Sequence, residues 1–402
     1  MAQASPAVGE RTHIAFFGMR NAGKSSVVNA VTGQSVSIVS DVKGTTTDPV
    51  RKSMELLPLG PVVIIDTPGI DDEGELGSLR VKTTLRTLEK TDIAVLVIDA
   101  AKGESREDGK LIDIFRKKEI PFLKVMNKAD LLASIPEAGE NEIYVSAMKK
   151  EGTEEIKNRI AGLMKHEKDD RHIVADLIEP GDMVVLVVPI DESAPKGRLI
   201  LPQQQTIRDI LERGAYCTVT KDTELRDVFS RFSEKPKMVI TDSQAFGRVN
   251  KDTPDDILLT SFSILMARYK GGLREAVKGA FTLDRLKDGD KVLISEGCTH
   301  HRQCGDIGTV KLPAWIRNHT KKEIEFSFTS GGDYPEDLSE YALVIHCGAC
   351  MLNDREMKSR VRRTQDSGTP ITNYGIAIAH LHGILERSLS PFPELVKELR
   401  GN

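Results

Sequence analysis

The octapeptide GMRNAGKS at residues 18–25 constrains the fold more than any other part of the sequence. Its spacing, G-x-x-x-x-G-K-S, is that of a phosphate-binding loop. It follows an apolar run at residues 13–18 and precedes a helical stretch at residues 26–31. Because such a loop has to join a strand to a helix, the N-terminal part of the chain is predicted to be an α/β nucleotide-binding domain.

The residue types in this loop suit a nucleoside triphosphate with Mg²⁺. Its glycines let the backbone amides point at the phosphates, Lys24 adds a positive charge at the β/γ position, and the Ser25 hydroxyl can bind Mg²⁺. The predicted nucleotide-binding residues of this segment are Gly18, Asn21, Ala22, Gly23, Lys24, Ser25 and Ser26.

Three further motifs end predicted strands and indicate that the base is guanine. The sequence DTPG places Asp66 near the metal, through water, and the Gly69 amide near the γ-phosphate. The sequence NKAD ends at Asp130, whose carboxylate can accept two protons of guanine that adenine does not offer. The sequence SAM, from Ser146, is expected to support the base through its backbone. The predicted contacts from these motifs are Asp66, Gly69, Asn127, Lys128, Asp130, Ser146 and Ala147.

A threonine-rich segment, GTTTD at residues 44–48, lies between the first two motifs in a loop long enough to be a switch. With this segment the set of motifs resembles the TrmE-Era-Obg group of translation-factor-type GTPases. By that match Thr46 reaches Mg²⁺, with Thr45 and Thr47 as alternatives. The predicted catalytic residues are Lys24, Thr46, Asp66 and Gly69.

Two positions predict how hydrolysis is assisted. Ile70 stands where Ras-type enzymes have a glutamine that orients water, so the intrinsic rate is expected to be slow. In the resembling group an asparagine of the phosphate loop, here Asn21, goes with a K⁺ ion that supplies the charge of an arginine finger. Hydrolysis is therefore expected to be stimulated by K⁺. The alternative for Asn21 is a loop residue that stabilises its own turn.

Apolar runs and amphipathic helical stretches alternate in the first 165 residues, as in a mainly parallel sheet covered on both faces. A charged segment at residues 165–170 then marks a boundary. The predicted strands of this domain cover residues 13–18, 62–66, 93–99, 122–127 and 142–146.

The rest of the chain is expected to form two smaller domains, with a candidate hinge at the glycine pair of residues 271–272. The expected fold class is α/β: a Ras-like P-loop GTPase domain, a small α/β domain, and a last domain that is α/β or α+β. The predicted domains cover residues 1–168, 169–270 and 271–402. The predicted elements of the second are strands at 183–189, 216–220 and 237–241, helices near 203–213 and 224–232, and a candidate last strand at 257–267; strands at 291–295, 323–329 and 342–346 follow.

The net charge of -4, from 56 basic and 60 acidic residues, gives no overall field that would attract nucleic acid or anionic lipid. No apolar run approaches the length of a membrane span, and the first ten residues lack the pattern of a signal peptide. These observations predict a cytoplasmic protein without nucleic-acid or membrane partners.

Four of the five cysteines follow residue 297, and three of them occur in two short motifs. CTH at residues 298–300 follows one predicted strand, and HCGAC at residues 346–350 ends another. Because clustered thiols in a reducing compartment more often hold a metal than form disulfides, these residues suit a zinc ion or an iron–sulfur cluster. A bare C-x-x-C is also shared by redox dithiols.

The combination of a GTPase domain with C-x-H and then H-C-x-x-C resembles the HydF maturation GTPases of FeFe-hydrogenases, in domain order over the whole chain. The resemblance implies that the central domain forms a homodimer and that a 4Fe-4S cluster lies on Cys298, Cys347 and Cys350. It also implies a scaffold or carrier for a transient di-iron subcluster, with apo FeFe-hydrogenase and the radical maturation enzymes as partners. The expected cofactors are GTP, Mg²⁺, K⁺ and the 4Fe-4S cluster.

Three cysteines leave one iron without a thiolate, and His300 and His346 are possible labile ligands there. A strand-capping role for His346 is the alternative, and His301 is the weaker candidate. The remaining residues of these types are expected to be ordinary packed or surface residues: Cys217, Cys304, His380 and His382.

Two functions remain open from the sequence alone. In the first, GTP turnover drives a conformational change in a cluster carrier. In the second, the chain is a K⁺-activated, zinc-containing GTPase of tRNA modification or ribosome assembly, which is weakened by the lack of a basic, aromatic-rich surface for RNA. The sequence leaves open the fourth cluster ligand, the coupling to GTP turnover, and the choice between dimer and tetramer.

Overall fold

The structure is a computed structural model. It describes residues 8–34, 49–69, 83–163, 171–190, 199–297, 306–349 and 352–399. The chain divides into two compact units, Met1–Lys168 and Asp169–Asn402, and each is described by itself.

The first unit contains a six-stranded sheet in the order β2-β3-β1-β4-β5-β6. All neighbouring strands are parallel except β2 and β3, which pair antiparallel. Its strands are β1 (Thr12–Phe17), β2 (Val50–Leu56), β3 (Gly60–Asp66), β4 (Ile93–Asp99), β5 (Phe122–Asn127) and β6 (Glu142–Val145).

Helices cover both faces of this sheet, as in a Ras-like fold. One hydrophobic cluster packs α1 (Lys24–Thr32) and α3 (Thr153–Leu163) against one face. The second cluster packs α2 (Arg106–Lys117) and a helix that includes residues 83–88 against the other. Every residue of β4 is buried, because a central parallel strand is covered on both sides.

The second unit contains two four-stranded sheets in which every neighbouring pair is parallel. The first has the order β10-β9-β7-β8 and the second the order β12-β11-β13-β14. Their strands are β7 (Met183–Val187), β8 (Tyr216–Thr220), β9 (Met238–Thr241), β10 (Leu258–Ser261), β11 (Lys291–Glu296), β12 (Glu325–Ser330), β13 (Leu343–His346) and β14 (Ile371–Asn373).

Helices connect these strands, and they are listed here in sequence order. They are α4 (Leu201–Glu212), α5 (Leu225–Ser230), α6 (Phe246–Asp252), α7 (Phe262–Tyr269), α8 (Leu273–Ala280), α9 (Leu312–Thr320), α10 (Asp354–Asp366), α11 (Tyr374–Leu381), α12 (Leu385–Ser388) and α13 (Pro393–Leu399).

The two sheets share one topology, since in each the second strand lies beside the first on one side and the third strand on the other. The strand order therefore reverses between β7 and β9 and again between β11 and β13. Loops diverge at such a switch point and leave a crevice at the carboxyl ends of the strands, where ligands commonly bind.

The structure corrects the expectation that residues 257–267 form a single strand. The strand ends at Ser261, whose hydroxyl accepts a hydrogen bond from the Ile264 amide and caps α7. A continuous apolar run does not show whether a buried segment is a strand or a helix, and both elements are largely buried here. The strands β2 and β14 were not predicted: β2 carries exposed polar side chains along an edge, and β14 has three residues.

No helix within the described ranges combines the length and the apolar character that a membrane crossing requires.

Candidate nucleotide and cluster sites

The phosphate-binding loop joins β1 to α1 and can be built only with glycine at two positions. Gly18 has φ +147°, and a Cβ there would lie 2.2 Å from the Val97 carbonyl oxygen of β4. Gly23 has φ +87°, and a Cβ there would lie 2.2 Å from Asn127 Nδ2. These contacts leave no room for a side chain, so glycine at both positions lets the loop pack closely against β4 and Asn127.

The two described residues expected at Mg²⁺ lie side by side. Ser25 Oγ donates a hydrogen bond of 2.9 Å to Asp66 Oδ2. The other carboxylate oxygen, Asp66 Oδ1, is buried without a hydrogen-bond partner. A buried oxygen of this kind suits a hard cation or its bound water, so this pair fits Mg²⁺. The third expected ligand, Thr46, lies outside the described residues, as do Thr45, Thr47 and Ile70.

The segment that follows β3 passes close to the phosphate-binding loop. A Cβ on Gly69 would lie 3.0 Å from the Arg20 Cα, so glycine permits this approach. Lys24 is buried in the first turn of α1. Both residues therefore lie at the edge where the structure places Ser25 and Asp66, while Ser26 is exposed on α1.

Asn127 connects three of the predicted motifs. Its Nδ2 donates to the Ala22 carbonyl at 3.0 Å, and its Oδ1 accepts from the Ala147 amide at 3.1 Å. The side chain is 3% exposed. Asn127 thus joins the phosphate-binding loop to the loop after β6, so its role in this structure is to hold the site together.

Lys128 adds a second connection, which the sequence interpretation missed. Its Nζ donates to the Asn21 carbonyl at 2.8 Å and to Asp99 Oδ2 at 2.6 Å. Asp99 is the last residue of β4. Its sequence signal is this position at a strand end, because the predicted motifs also follow strand ends. Lys128 itself has φ +64°, in the left-handed region.

Asp130, the predicted base-reading residue, lies in the 3₁₀ helix Ala129–Leu131. A hydrogen bond with the Ser146 side chain is the largest cause that lowers the pKa of Asp130 below its ordinary value, against a smaller opposing effect of desolvation. The group is therefore an acceptor-only carboxylate at neutral pH, which is the form that pairs with guanine N1–H and N2–H.

Asn21 is exposed in the loop and has φ +64°. Asparagine tolerates this left-handed conformation better than most residues do, so the turn gives a structural reason for Asn21 that does not involve K⁺. A K⁺ role stays a prediction.

The described part of the second cysteine motif, residues 346–349, lies at the switch point of the second sheet in unit two. Cys298 follows β11 and Cys347 follows β13, which are parallel neighbours with Ser295 opposite His346. The Cys347 amide donates to the Ser295 carbonyl at 2.9 Å. Cys298, His300, His301, Cys304 and Cys350 lie outside the described residues.

The Cys347 sulfur accepts two backbone hydrogen bonds, from the Gly297 amide at 3.0 Å and the Ala349 amide at 3.4 Å. Amide hydrogen bonds to a sulfur stabilise the thiolate form that a metal or cluster needs. The described part of the site therefore fits an anionic sulfur ligand.

Lys270, at the end of α7, holds the loop that carries this cysteine. Its Nζ donates to the carbonyls of Ala349 and Leu352 at 2.6 and 2.9 Å. A largely apolar cavity of about 40 Å³ adjoins the loop and is lined in part by Met266, Lys270 and Cys347. Sequence reasoning missed Lys270 because no motif marks it.

His346 is fully buried and uses both ring nitrogens inside the protein. Its Nδ1 lies 2.9 Å from the Cys347 carbonyl and its Nε2 lies 3.0 Å from Arg360 Nη1. Burial, with the charge of Arg360, lowers the pKa of His346 to about 3, so the ring is neutral. A ligand role would require one of these contacts to break, and it stays a prediction.

The histidines and the cysteine expected to be ordinary residues lie as follows. Cys217 is half-buried in β8, and burial raises the pKa of its thiol. His382 packs edge-on against Trp315. His380 contacts Asp284 on a neighbouring element.

Three family models match this chain in sequence order. Residues 13–128 match the 50S ribosome-binding GTPase family, residues 173–271 the hydrogen maturase F dimerization domain, and residues 274–391 the hydrogen maturase F tetramerization domain.

Curated relatives are similar over the GTPase region. They include the tRNA modification GTPase MnmE of Nitrosomonas europaea, 34% identical over 161 residues, and the GTPase Der of Maridesulfovibrio salexigens, 38% identical over 125 residues. These matches cover 39% and 30% of this chain. The chain spans 35% and 27% of the length of these relatives.

Among solved structures, Era of Aquifex aeolicus bound to GDP and AlF4⁻ is similar at 20% identity with a TM-score of 0.35, over 60% of this chain and 97% of that chain. A probable GTP-binding protein engB is similar at 23% identity with a TM-score of 0.32, over 39% of this chain and 100% of that chain.

The GTPase match thus precedes two domains that are both described as hydrogen maturase F domains. With this order of domains, the chain belongs to the hydrogen maturase F (HydF) family and carries a P-loop GTPase domain at its N-terminal end.

Proposed function

We propose that this protein hydrolyses GTP and carries a 4Fe-4S cluster with a di-iron subcluster precursor, which it delivers to apo FeFe-hydrogenase. The observation that carries the proposal is the pair of hydrogen maturase F domains that follows a GTPase domain. The position of Cys347 at the switch point of its sheet supports it, because ligands commonly bind at the carboxyl ends of strands at such a point.

In the GTPase site the chain positions the triphosphate and orders the charges around it. The backbone between Gly18 and Ser25 and the buried Lys24 hold the phosphates, and Asp130 selects guanine. Bound Mg²⁺, on Ser25 and Thr46 with Asp66 behind its water, would neutralise charge on the β- and γ-phosphates. Gly69 donates its amide to the γ-phosphate.

Hydrolysis is proposed to be slow and stimulated by K⁺ at Asn21. The variant Asn21→Gly separates the two roles of this residue, because glycine adopts φ +64° as readily and removes only the side-chain amide. With the K⁺ role, Asn21→Gly binds GDP normally but hydrolyses GTP at equal rates in KCl and NaCl. If KCl still stimulates hydrolysis by Asn21→Gly, the role of Asn21 is to stabilise its turn and not to bind K⁺.

The cluster is proposed to bind through Cys298, Cys347 and Cys350. It would supply one iron without a thiolate, to which the precursor attaches, with His300 and His346 as possible exchangeable ligands. The chain stabilises the Cys347 thiolate with the amides of Gly297 and Ala349.

Nucleotide turnover is proposed to act as a switch for partner association or cluster release. The radical maturation enzymes would supply the precursor, and a homodimer, or a larger assembly through the last domain, would be the carrier in the cytoplasm. The matches to a dimerization domain and a tetramerization domain of hydrogen maturase F support dimers and tetramers.

Anaerobic reconstitution with iron and sulfide tests the cluster directly. Wild-type protein should become brown and give an EPR signal on reduction, while Cys347→Ser should lose bound iron and keep its GTPase rate. Cys217→Ser is the matched control, since Cys217 lies in β8, which belongs to the other sheet of the unit. A colourless wild-type protein that keeps one zinc, which Cys347→Ser loses, would favour the alternative of a zinc-containing GTPase in tRNA modification or ribosome assembly.

A further inference from the structure

Three side chains with metal-binding atoms meet in the last domain, and none of them belongs to the cysteine motifs. They are Asp284 of the 3₁₀ helix Phe281–Arg285, His319 of α9 and His380 of α11. Asp284 Oδ1 lies 2.7 Å from His319 Nε2, and Asp284 Oδ2 lies 2.9 Å from His380 Nε2. The three possible ligand atoms all lie within 4.8 Å of one another.

The helices direct negative charge toward this cluster. His319 lies in the last turn of α9 and His380 in the last turn of α11. Since the carbonyl end of a helix carries a partial negative charge, two such ends favour a cation between them. The carboxylate of Asp284 adds an acidic group whose two oxygens lie within hydrogen-bond distance of the two imidazoles.

One of the three side chains is held in place by packing, and the other two are partly exposed to solvent. His380 is 10% exposed, and Phe281 packs edge-on against its ring with 4.9 Å between ring centroids. Asp284 and His319 are 45% and 32% exposed. An ion here would therefore meet one fixed imidazole and two side chains that can move a few tenths of an ångström to reach metal-bond lengths of about 2.0–2.2 Å.

We propose that Asp284, His319 and His380 bind one divalent transition-metal ion, of the zinc class, separate from the cysteine site. Two imidazoles and one carboxylate are a ligand set that suits Zn²⁺. Because the cluster is partly exposed, at least one coordination position remains open to water or to a ligand from another molecule. The bound ion would also tie together three helical segments of the last domain.

The absorption spectrum of bound Co²⁺ distinguishes this site from the cysteine site, because thiolate ligands give Co²⁺ a charge-transfer band that imidazole and carboxylate ligands do not. The full-length chain with Cys298, Cys347 and Cys350 replaced by serine is titrated with Co²⁺ and then with competing Zn²⁺. One equivalent is expected to bind with visible d–d bands and without thiolate bands.

His319→Ala should weaken binding by more than the 10–100-fold that loss of an outer partner of a metal ligand typically costs. Asp284→Asn should do the same, whereas His382→Gln, a nearby histidine outside the cluster, should bind as before. Equal affinity in His319→Ala, or no binding in the background chain, would overturn the proposal and leave the three residues as a hydrogen-bonded group.

A second measurement tests the proposal even if the triple-serine chain does not fold. Wild-type protein reconstituted with its iron–sulfur cluster is incubated with Zn²⁺, desalted, and measured for zinc and iron. One zinc per chain, lost in His319→Ala at unchanged iron content, is expected. Zinc that His319→Ala retains would count against the site.

Discussion

Replacing Asn127 with alanine removes the side chain that joins the phosphate-binding loop to the loop after β6. The Ala22 carbonyl and the Ala147 amide would each lose a buried partner. An unsatisfied buried backbone group costs about 1–3 kcal/mol, so the two together cost about 2–6 kcal/mol. This is a large part of the roughly 5–15 kcal/mol by which a typical domain is stable.

The cost divides between folding and nucleotide binding, and both are measurable. If it falls on the bound state, about 2 kcal/mol weakens GDP binding about 30-fold. Fluorescent-GDP titration and urea unfolding, run in parallel on Asn127→Ala, give the two parts. Asn141→Ala is the matched control, because Asn141 is exposed. A variant within about threefold of wild type in GDP affinity and unchanged in unfolding midpoint would refute the reasoning.

Three further predictions concern the second unit. Gly279→Ala should destabilise it by about 1–3 kcal/mol or more in urea unfolding, because the new Cβ would lie 2.0 Å from the Ile371 carbonyl oxygen. Arg360→Met should cost about 3–5 kcal/mol in the same assay, since it removes the buried cation 2.8 Å from Glu356 Oε1. Burial opposes ionisation of Asp176, but a hydrogen bond from an arginine lowers the pKa of this carboxyl. The stabilisation from the ionised carboxylate is therefore present above the ordinary aspartate pKa and is lost as pH falls through the pKa of the folded state. Asp176→Asn should flatten the acid limb of the curve of stability against pH.

The elements that position the nucleotide were predictable because apolar runs and motifs coincide there. The predicted strands at residues 93–99 and 122–127 have the same bounds in the structure. The edge strand β2 was not predicted, because its exposed face carries charged residues and its pattern is weak. The α7 helix was mistaken for strand because a buried run has no visible period.

Motifs gave the candidate site residues, whereas the partners that come from distant segments were missed. Asp99 and Lys270 act on motif residues from 29 and 79 positions away in the sequence, and neither belongs to a motif. Asp284 meets His319 and His380 across separations of 35 and 96 residues. Such pairs depend on sheet order and helix packing, which local patterns do not encode.

The central claim, delivery of a cluster precursor, is tested most directly by maturation of apo FeFe-hydrogenase in vitro. Apo-hydrogenase is incubated anaerobically with this protein loaded with its cluster precursor, and H₂ evolution is measured. We expect activity with the wild type and with Cys217→Ser, and none with Cys347→Ser. An apo-hydrogenase that stays inactive with the loaded wild type, or gains equal activity from Cys347→Ser, would contradict the account.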